Sequence, residues 1–388
     1  MRTIIVWMAL AAIPRQSAVF EPEPRVISSG RDPVVSVRAS GALSLLKVEG
    51  KDLWLETSFD GGDSFEQRAR VNDVPGEVSS HSESSPRMAV RTRSEFYVVW
   101  QTRRAGGSAL RFSRSMNWGE SFSKAIDVAP SAPPQSFYTM SVSPQGTIYI
   151  SWLSSSAVYI AKSTDRGASF QSPVKVTDND SCPCCRPSIS FTGDRSVHVA
   201  WRRVVEDNIR DIFISTSTDG GETWKPGVRV AEDNWKLNGC PHSGAATAVL
   251  GKRLFVAWTT VRDSKGQLYL AWSDDAGRTF SPRARLGDNV VDPNHSHMAA
   301  AGAERLAVVF QGREPDRNQG WGPVNAWYRE VDGAGGVSAL QQLGNAGKSA
   351  SYPAVAVEDP GRIFVAWTEP AKEGHNVVLI RGRRTGAR

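Results

Sequence analysis

One eight-residue pattern, Ser-x-Asp-x-Gly-x-x-(Phe/Trp), recurs along the chain and constrains its fold more than any other feature. The Asp and Gly supply the chemistry of a tight β-turn, and the closing aromatic can fill the space between neighbouring hairpins. The five copies occupy residues 58–65, 115–122, 163–170, 217–224 and 273–280. In the second copy, Asn117 takes the place of the Asp. Such a repeat predicts an array of similar β-units.

A second pattern runs in step with the first and consists of apolar strands that end in an aromatic residue. These strands end at Trp100, Trp152, Trp201, Trp258, Phe310 and Trp367. Period-2 alternation, as in residues 147–152, supports β structure. The spacing of about fifty residues accommodates four short strands, which is the size of one propeller blade. We therefore predict an all-β chain folded as a β-propeller.

Seven units can be laid out along the chain, which favours seven blades; a six-bladed ring with an accessory hairpin is the alternative. The inner strands are expected to begin near Pro33, Pro86, Tyr138, Pro187, Gly244, His297 and Tyr352. The seventh unit ends after its third strand, near Ile380. Residues 24–27 resemble the fourth strands of other units, so we expect them to complete the last blade. A ring closed in this way leaves no unpaired sheet edge.

The first 18 residues are interpreted as a secretory signal peptide, with Arg2 before a short apolar stretch and small residues at positions 17–18. A buried N-terminal strand is the alternative. We expect a secreted or periplasmic protein in which residues 19–388 form one propeller domain. No apolar run is long enough to span a membrane. The net charge of +6 forms no basic stripe, so nucleic acid is not an expected partner. Oligomeric state is not indicated by the sequence.

All four cysteines and three of the six histidines lie where predicted inner strands begin in three consecutive units. They are Cys182, Cys184 and Cys185 in the fourth unit, Cys240 and His242 in the fifth, and His295 and His297 in the sixth. A propeller would bring them to one mouth of its central channel. Two disulfides, with Cys240 paired to the 182–185 segment, are the simpler interpretation in an exported protein. Thiolate and imidazole ligands also suit copper or zinc.

The repeated turns resemble the Asp boxes, or BNR repeats, of the sialidase (neuraminidase) superfamily, and the resemblance covers nearly the whole chain. It implies that the boxes lie on the face opposite the active site. It also implies a mechanism in which three arginines hold a carboxylate, a tyrosine activated by a glutamate is the nucleophile, and an aspartate is the acid/base. Arginine suits this role because its planar fork pairs bidentately with a carboxylate.

The resemblance implies candidate catalytic residues in this chain. They are Arg31, Arg186, Arg202, Arg210, Glu206 and Tyr352. Arg31 stands where the family has an Arg-Ile-Pro motif, although Asp32 replaces the Ile. The implied function is an exported propeller that binds an acidic glycan at its upper face and could hydrolyse it. The alternative is a non-enzymatic propeller that binds a small-molecule ligand or a metal ion. Convergence of the arginines on one pocket would distinguish the two.

Overall fold

The computed structural model describes residues 17–38, 40–262, 265–314, 322–344, 347–358 and 361–385. Within these ranges the strands form seven antiparallel sheets of four or five strands each, arranged as the blades of a β-propeller. The prediction of an all-β, seven-bladed propeller is therefore confirmed, and the six-bladed alternative is wrong. The described part of the chain contains no helix with the length and hydrophobicity of a membrane span.

The strands follow one another in blade order. Two N-terminal strands, β1 (Ala18–Phe20) and β2 (Arg25–Ser29), precede the first blade, which contains β3 (Arg31–Val37), β4 (Leu43–Glu49), β5 (Asp52–Ser58) and β6 (Gln67–Arg70). The second blade contains β7 (Val78–Ser79), β8 (Arg87–Val90), β9 (Phe96–Arg104), β10 (Gly107–Ser115) and β11 (Ile126–Asp127). The third contains β12 (Ser136–Val142), β13 (Ile148–Ser154), β14 (Ala157–Ser163) and β15 (Val174–Lys175).

The remaining four blades repeat this order. The fourth contains β16 (Ser188–Phe191), β17 (Val197–Val205), β18 (Ile209–Ser217) and β19 (Val228–Arg229). The fifth contains β20 (Ala246–Leu250), β21 (Arg253–Arg262), β22 (Lys265–Ser273) and β23 (Ala284–Arg285). The sixth contains β24 (Val291–Ala300), β25 (Arg305–Arg313), β26 (Val324–Asp332) and β27 (Gln341–Gln342). The last contains β28 (Ser351–Glu358), β29 (Arg362–Pro370) and β30 (His375–Arg384).

Both ends of the chain build the blade that closes the ring. Strand β2 pairs with β30, with Val26 opposite Val378, as predicted for residues 24–27. Strand β1 also pairs with β30, and Ala18, opposite Arg384, is completely buried. The predicted signal peptide, residues 1–18, lies outside the described residues except for Ser17 and Ala18. The paired termini leave β30 without an open edge.

The aromatic-ended strands pack one blade against the next. Trp367 is completely buried and lies in an apolar cluster with Val309 and Tyr328 of the sixth blade. Trp258 occupies the equivalent position between the fourth and fifth blades. Full burial of a large apolar side chain stabilises the fold by about 2–3 kcal/mol. The repeated aromatic therefore supplies much of the contact between blades.

The Asp boxes form the turns between third and fourth strands. Asp219 accepts hydrogen bonds from the Oγ of Ser217 at 2.7 Å and from the backbone N of Thr223 at 3.0 Å. In the second blade, Asn117 Oδ1 accepts from the backbone N of Ser121 at 3.2 Å, so an amide fills the same role. We call the face where the inner strands begin the upper face. Because strand direction alternates within a blade, the Asp-box turns lie on the opposite face.

The inner strand of the second blade is interrupted. Strands β7 and β8 both pair with β9, and a short 3-10 helix, Ser82–Ser84, lies between them. This segment leaves the sheet at the upper face. It carries Glu83, whose side chain contacts the entrances of three other blades and is only 2% exposed.

Candidate functional site

Three cysteine thiols meet at the entrance to the fourth blade. The Sγ of Cys182 lies 3.5 Å from that of Cys184 and 3.6 Å from that of Cys185, and the third side of the triangle is 4.0 Å. All three residues are buried. A disulfide requires about 2.05 Å between sulfurs. The four cysteines are unbonded, so the predicted disulfide to Cys240 is not formed in this structure.

Cys240 and His242 of the fifth blade extend this cluster. Their ligand atoms lie within 4.8 Å of each other and of the Cys184 Sγ. Both residues are exposed, whereas the three cysteines of the fourth blade are buried. We call Cys182, Cys184 and Cys185 the inner set, and Cys184, Cys240 and His242 the outer set. Cys184 is the one residue that belongs to both sets.

The thiols of the inner set differ in acidity. Hydrogen bonds from the Cys184 and Cys185 thiols, together with the nearby charge of Arg210, hold the pKa of Cys182 well below its usual range. Burial raises the pKa of the Cys185 thiol. The neighbouring thiols and Arg210 therefore favour the thiolate of Cys182, and thiolate is the form of cysteine that binds metals.

Arg210 lies directly against this thiolate. One guanidinium nitrogen lies 3.0 Å from the Sγ of Cys182, and the Nε donates to the carbonyl oxygen of Leu237 at 2.9 Å. Its hydrogen bonds therefore run to the thiol cluster and to the loop that precedes Cys240. A charged donor at this distance stabilises an anionic sulfur.

Arg202 is buried, and its guanidinium binds backbone carbonyl oxygens on several sides. It donates to Ser243 at 3.0 Å, to Thr259 at 2.7 Å and to Arg210 at 2.8 Å. Ser243 immediately follows the two outer-set ligands of the fifth blade. Arg202 thus ties the loop that contains residues 240–244 to the strand that carries Arg210.

Glu83 fastens the two cysteine-bearing loops to each other. Its Oε2 accepts hydrogen bonds from the backbone N of Arg186 and from that of Gly244, both at 3.3 Å. Its Oε1 lies 2.7 Å from the Nδ1 of His295. Burial opposes ionisation, but the charge of Arg186 and the bond from His295 lower the pKa of Glu83 to about 2. A buried carboxylate therefore joins the entrances of the fourth, fifth and sixth blades.

Close packing explains why position 244, which follows Cys240 and His242 in the same loop, is a glycine. A Cβ atom on Gly244 would lie 2.1 Å from the carbonyl oxygen of Arg186. Any side chain here would push the 182–186 and 240–244 segments apart. Glu83 was not among the predicted site residues; the signal that could have indicated it is the polar stretch 79–85, which interrupts the inner strand of the second blade.

His295 and His297 do not belong to either donor set among the described residues. His295 pairs with Glu83, and its ring centroid lies 4.6 Å from that of Tyr352. The Nδ1 of His297 accepts a hydrogen bond from the backbone N of Val355 at 3.2 Å. Burial lowers the pKa of His297 to about 4, so this imidazole is neutral at physiological pH.

The predicted catalytic residues each have their own contacts. Arg31 pairs with Asp32 in the first blade, and Asp32 also accepts a hydrogen bond from the Oγ of Ser80 at 2.6 Å. Glu206 is exposed in the short 3-10 helix Glu206–Asn208, at the turn between β17 and β18. Tyr352 begins the seventh inner strand, beside His295. The guanidinium groups of Arg202 and Arg210 are engaged by carbonyl oxygens and a thiol, and a catalytic role for the predicted residues stays a prediction.

The backbone around the mouth is left-handed at several non-glycine positions. They include Asp32, Phe137, His242, His295 and Tyr352, with φ between 46° and 56°. All but His242 fall in a register shift of an inner strand. A residue in this region costs about 1–3 kcal/mol, and such strain clusters at functional sites. Left-handed residues also occur in the Asp-box turns, at Trp118, Arg166 and Ala276, so the strain makes the upper mouth a candidate site without singling it out.

A cavity of about 400 Å³ borders the outer set between the fifth and sixth blades. Cys240, Trp235 and Asn294 are among the residues that line it. Cys240 is therefore reached from solvent through a concave surface, whereas the residues of the inner set are buried.

Comparison with known proteins agrees with this architecture. The family described as BNR repeat-like domain matches residues 96–365. The predicted resemblance to Asp-box propellers is confirmed. No curated protein matches the sequence.

Several solved structures share the fold at low sequence identity. A Dyadobacter fermentans DSM 18053 protein of unknown function has a TM-score of 0.55 and 15% identity, covering 94% of this chain and 100% of that chain. A PL25 polysaccharide lyase, an ulvan lyase bound to -[GlcA(1-4)Rha3S]-, has a TM-score of 0.58 and 11% identity, covering 91% and 95%. A Hadza microbial sialidase has a TM-score of 0.52 and 14% identity, covering 87% and 75%. At these identities the likeness shows the fold alone.

Proposed function

This chain belongs to the BNR repeat-like domain family, and we propose that it binds a thiophilic metal ion, copper as Cu(I) or zinc, at the cysteine cluster on its upper face. The observation that carries the proposal is the inner set, in which three buried thiols from one short loop point at one another. Because one propeller fold hosts many functions, the residues of the site indicate the function and the fold does not.

The dimensions of the inner set suit a metal ion. A triangle with sides of 3.5, 3.6 and 4.0 Å has a circumscribed radius of about 2.1 Å, so a metal about 2.3 Å from each sulfur would sit about 0.8 Å above their plane. Three corners of a tetrahedral site have nearly this geometry. Soft thiolate ligands select Cu(I) or zinc over hard cations such as Mg²⁺ or Ca²⁺.

The surroundings of the thiols also support a metal site. Arg210 offsets the charge of the Cys182 thiolate, Arg202 anchors the loop that contains Cys240, and Glu83 binds the backbone of both cysteine loops. Hydrogen bonds of this kind orient metal ligands, and their loss typically lowers metal affinity 10- to 100-fold. The predicted clamp arginines 202 and 210 thus support the cysteine cluster.

Metal analysis together with a count of free thiols tests this function. Protein reconstituted anaerobically with Cu(I) or Zn²⁺ should retain the ion through gel filtration, and chelation should release all four cysteines to a thiol reagent. Replacing both Cys182 and Cys185 with serine should abolish retention, whereas His375→Ala, an exposed histidine far from the cluster in sequence, should not. Failure of the wild-type protein to retain either metal would contradict the proposal.

A second candidate function is binding, and hydrolysis, of an acidic glycan at the same face. The supporting observation is the position of Arg31, beside Asp32, whose backbone N donates to the Oγ1 of Thr368 at 2.9 Å. Arg31 therefore borders the seventh blade, where Tyr352 contacts His295. Structures described as a sialidase and as a lyase bound to a glucuronate-containing glycan share the fold.

Calorimetric titration with sialyllactose and with glucuronate oligosaccharides tests this second candidate. Binding that is weakened by Arg31→Met, with release of sugar over time, would support it. Absence of binding and of turnover with both glycan classes would exclude it, and neither result depends on metal retention.

We further propose that the protein acts outside the cytoplasm, as the interpretation of residues 1–18 implies. N-terminal sequencing of the protein recovered from a secreting host tests this. Cleavage after Ala18 would leave Val19 as the first residue of β1. Recovery of the intact N-terminus in the cytoplasmic fraction alone would contradict export.

A further inference from the structure

We infer that the cluster is a binuclear Cu(I) centre, in which the inner and outer sets each bind one ion and share the Cys184 thiolate. This inference rests on the proposed metal-binding function and adds the number of ions, their ligands and their relative accessibility. The juxtaposition that carries it is the overlap of two three-donor groups at one sulfur.

The donor count favours two Cu(I) ions over one zinc ion. The inner set offers three thiols and the outer set two thiols with one imidazole, and thiolate and imidazole are both ligand types that suit copper. A structural zinc site is almost always four-coordinate. Cys240 and His242 group with Cys184 alone and do not group with Cys182 or Cys185. The second pair of donors therefore lies beside the inner set rather than over the centre of its triangle.

The charge balance also permits a second ion. Three thiolates around one Cu(I) carry a net charge of −2 in a buried site, and buried charge is costly unless it is paired. Arg210 lies 3.0 Å from the Cys182 sulfur, which is the inner-set ligand that the outer set does not use. The shared sulfur of Cys184 faces Cys240 and His242. A second Cu(I) there would be matched by the Cys240 thiolate, so the outer position can be filled without adding net charge to the cluster.

The two ions would exchange at different rates. The inner-set residues are at most 4% exposed, whereas Cys240 and His242 are both exposed. The cavity of about 400 Å³ beside Cys240 opens the outer position to solvent. An external thiol or chelator can therefore deliver or remove an ion in the outer set. Because Cys184 belongs to both sets, an ion could pass from the outer set to the inner set through this shared ligand.

Anaerobic titration of the wild-type protein with Cu(I), monitored by competition with a chromophoric chelator, tests the inference. We expect two equivalents per chain, one removed quickly by excess chelator and one removed slowly. The double variant Cys240→Ser/His242→Ala should bind one equivalent and lose the fast phase. His81→Ala, an exposed histidine beside Phe137 at the same mouth, should behave as wild type.

X-ray absorption supplies a second measurement. Two metals that are each about 2.3 Å from one sulfur lie no more than about 4.6 Å apart, so a copper–copper scattering contribution is expected in the wild type and not in the double variant. A wild type that binds one equivalent, or a double variant that keeps two, overturns the binuclear assignment while leaving metal binding intact. No bound copper overturns both that assignment and a copper function.

Discussion

Glu83→Gln is the perturbation that tests most directly how the upper mouth is held together. The carboxylate is buried, yet the charge of Arg186 and the bond from His295 lower its pKa from 4.5 to about 2. Each tenfold change in proton affinity corresponds to about 1.36 kcal/mol, so ionised Glu83 stabilises the native state by about 3 kcal/mol. The amide keeps the shape of the side chain and removes the charge.

The loss of stability in Glu83→Gln should be larger at neutral pH than at acidic pH. Because the folded-state pKa lies below the unfolded-state value, the stabilisation is complete above the unfolded-state value of 4.5 and is lost as the pH falls toward 2. We expect Glu83→Gln to be less stable than wild type by about 3 kcal/mol at pH 7 and by about 1 kcal/mol at pH 3. Denaturant unfolding at both pH values measures the difference.

An exposed carboxylate provides the control. Glu120→Gln, at an exposed position of the second Asp box, should change stability little at either pH. The reasoning would be refuted if Glu83→Gln matched wild type at pH 7, or if its deficit were the same at pH 3. The same variant should lower Cu(I) affinity about 10- to 100-fold, because Glu83 binds both cysteine loops.

Three further predictions concern other contacts. Gly244→Ala should lower both the melting temperature and metal retention, because its Cβ would lie 2.1 Å from a carbonyl oxygen; Gly106→Ala, where nothing lies within 4 Å, should change neither. Arg210→Met should weaken Cu(I) binding about 10- to 100-fold in chelator competition, and unchanged affinity would show that its contact with Cys182 does not matter. Asp219→Ala should cost about 1–2 kcal/mol in denaturant unfolding and Asp219→Asn less, since Asn117 already serves in one box; equal costs would contradict this.

The fold was predictable because each blade carries its own local signals. The Asp-box turn and the aromatic-ended strand are short-range patterns, and their repetition determines the number of blades. The closing strand near Val26 followed from the missing fourth strand of the last unit. A buried N-terminal strand such as β1 was only the alternative to a signal peptide, because three residues next to an apolar leader carry no pattern that distinguishes the two.

The cysteine cluster was partly predictable, whereas the roles of the arginines were not. Equivalent loops of adjacent blades must meet at the mouth, which brings Cys240 to the 182–185 segment. A buried guanidinium binds backbone carbonyl groups that are not used in hydrogen bonds between strands, and these groups are known only once the strands have paired. Arg202 finds two of these in Ser243 and Thr259, and nothing in the local sequence indicates that.

The histidines show the same limit at a smaller scale. His295 and His297 are two residues apart, so a regular strand would point both side chains the same way. The register of β24 shifts between Asn294 and His297, and His295 is left-handed with a φ of 50°. As a result, His295 reaches Glu83 while His297 accepts a bond from Val355 in the next blade.

The left-handed positions explain why the mouth needs Glu83. Residues in strained backbone persist only where their surroundings hold them in place. The side chain of Glu83 holds left-handed His295 through one oxygen and the two cysteine loops through the other. A single buried carboxylate from the second blade therefore stabilises strained backbone in the sixth and ligand geometry in the fourth and fifth. The register shifts change the direction of side chains at the upper mouth, and the hydrogen bonds of Glu83 hold these segments together. The upper mouth is therefore preorganised.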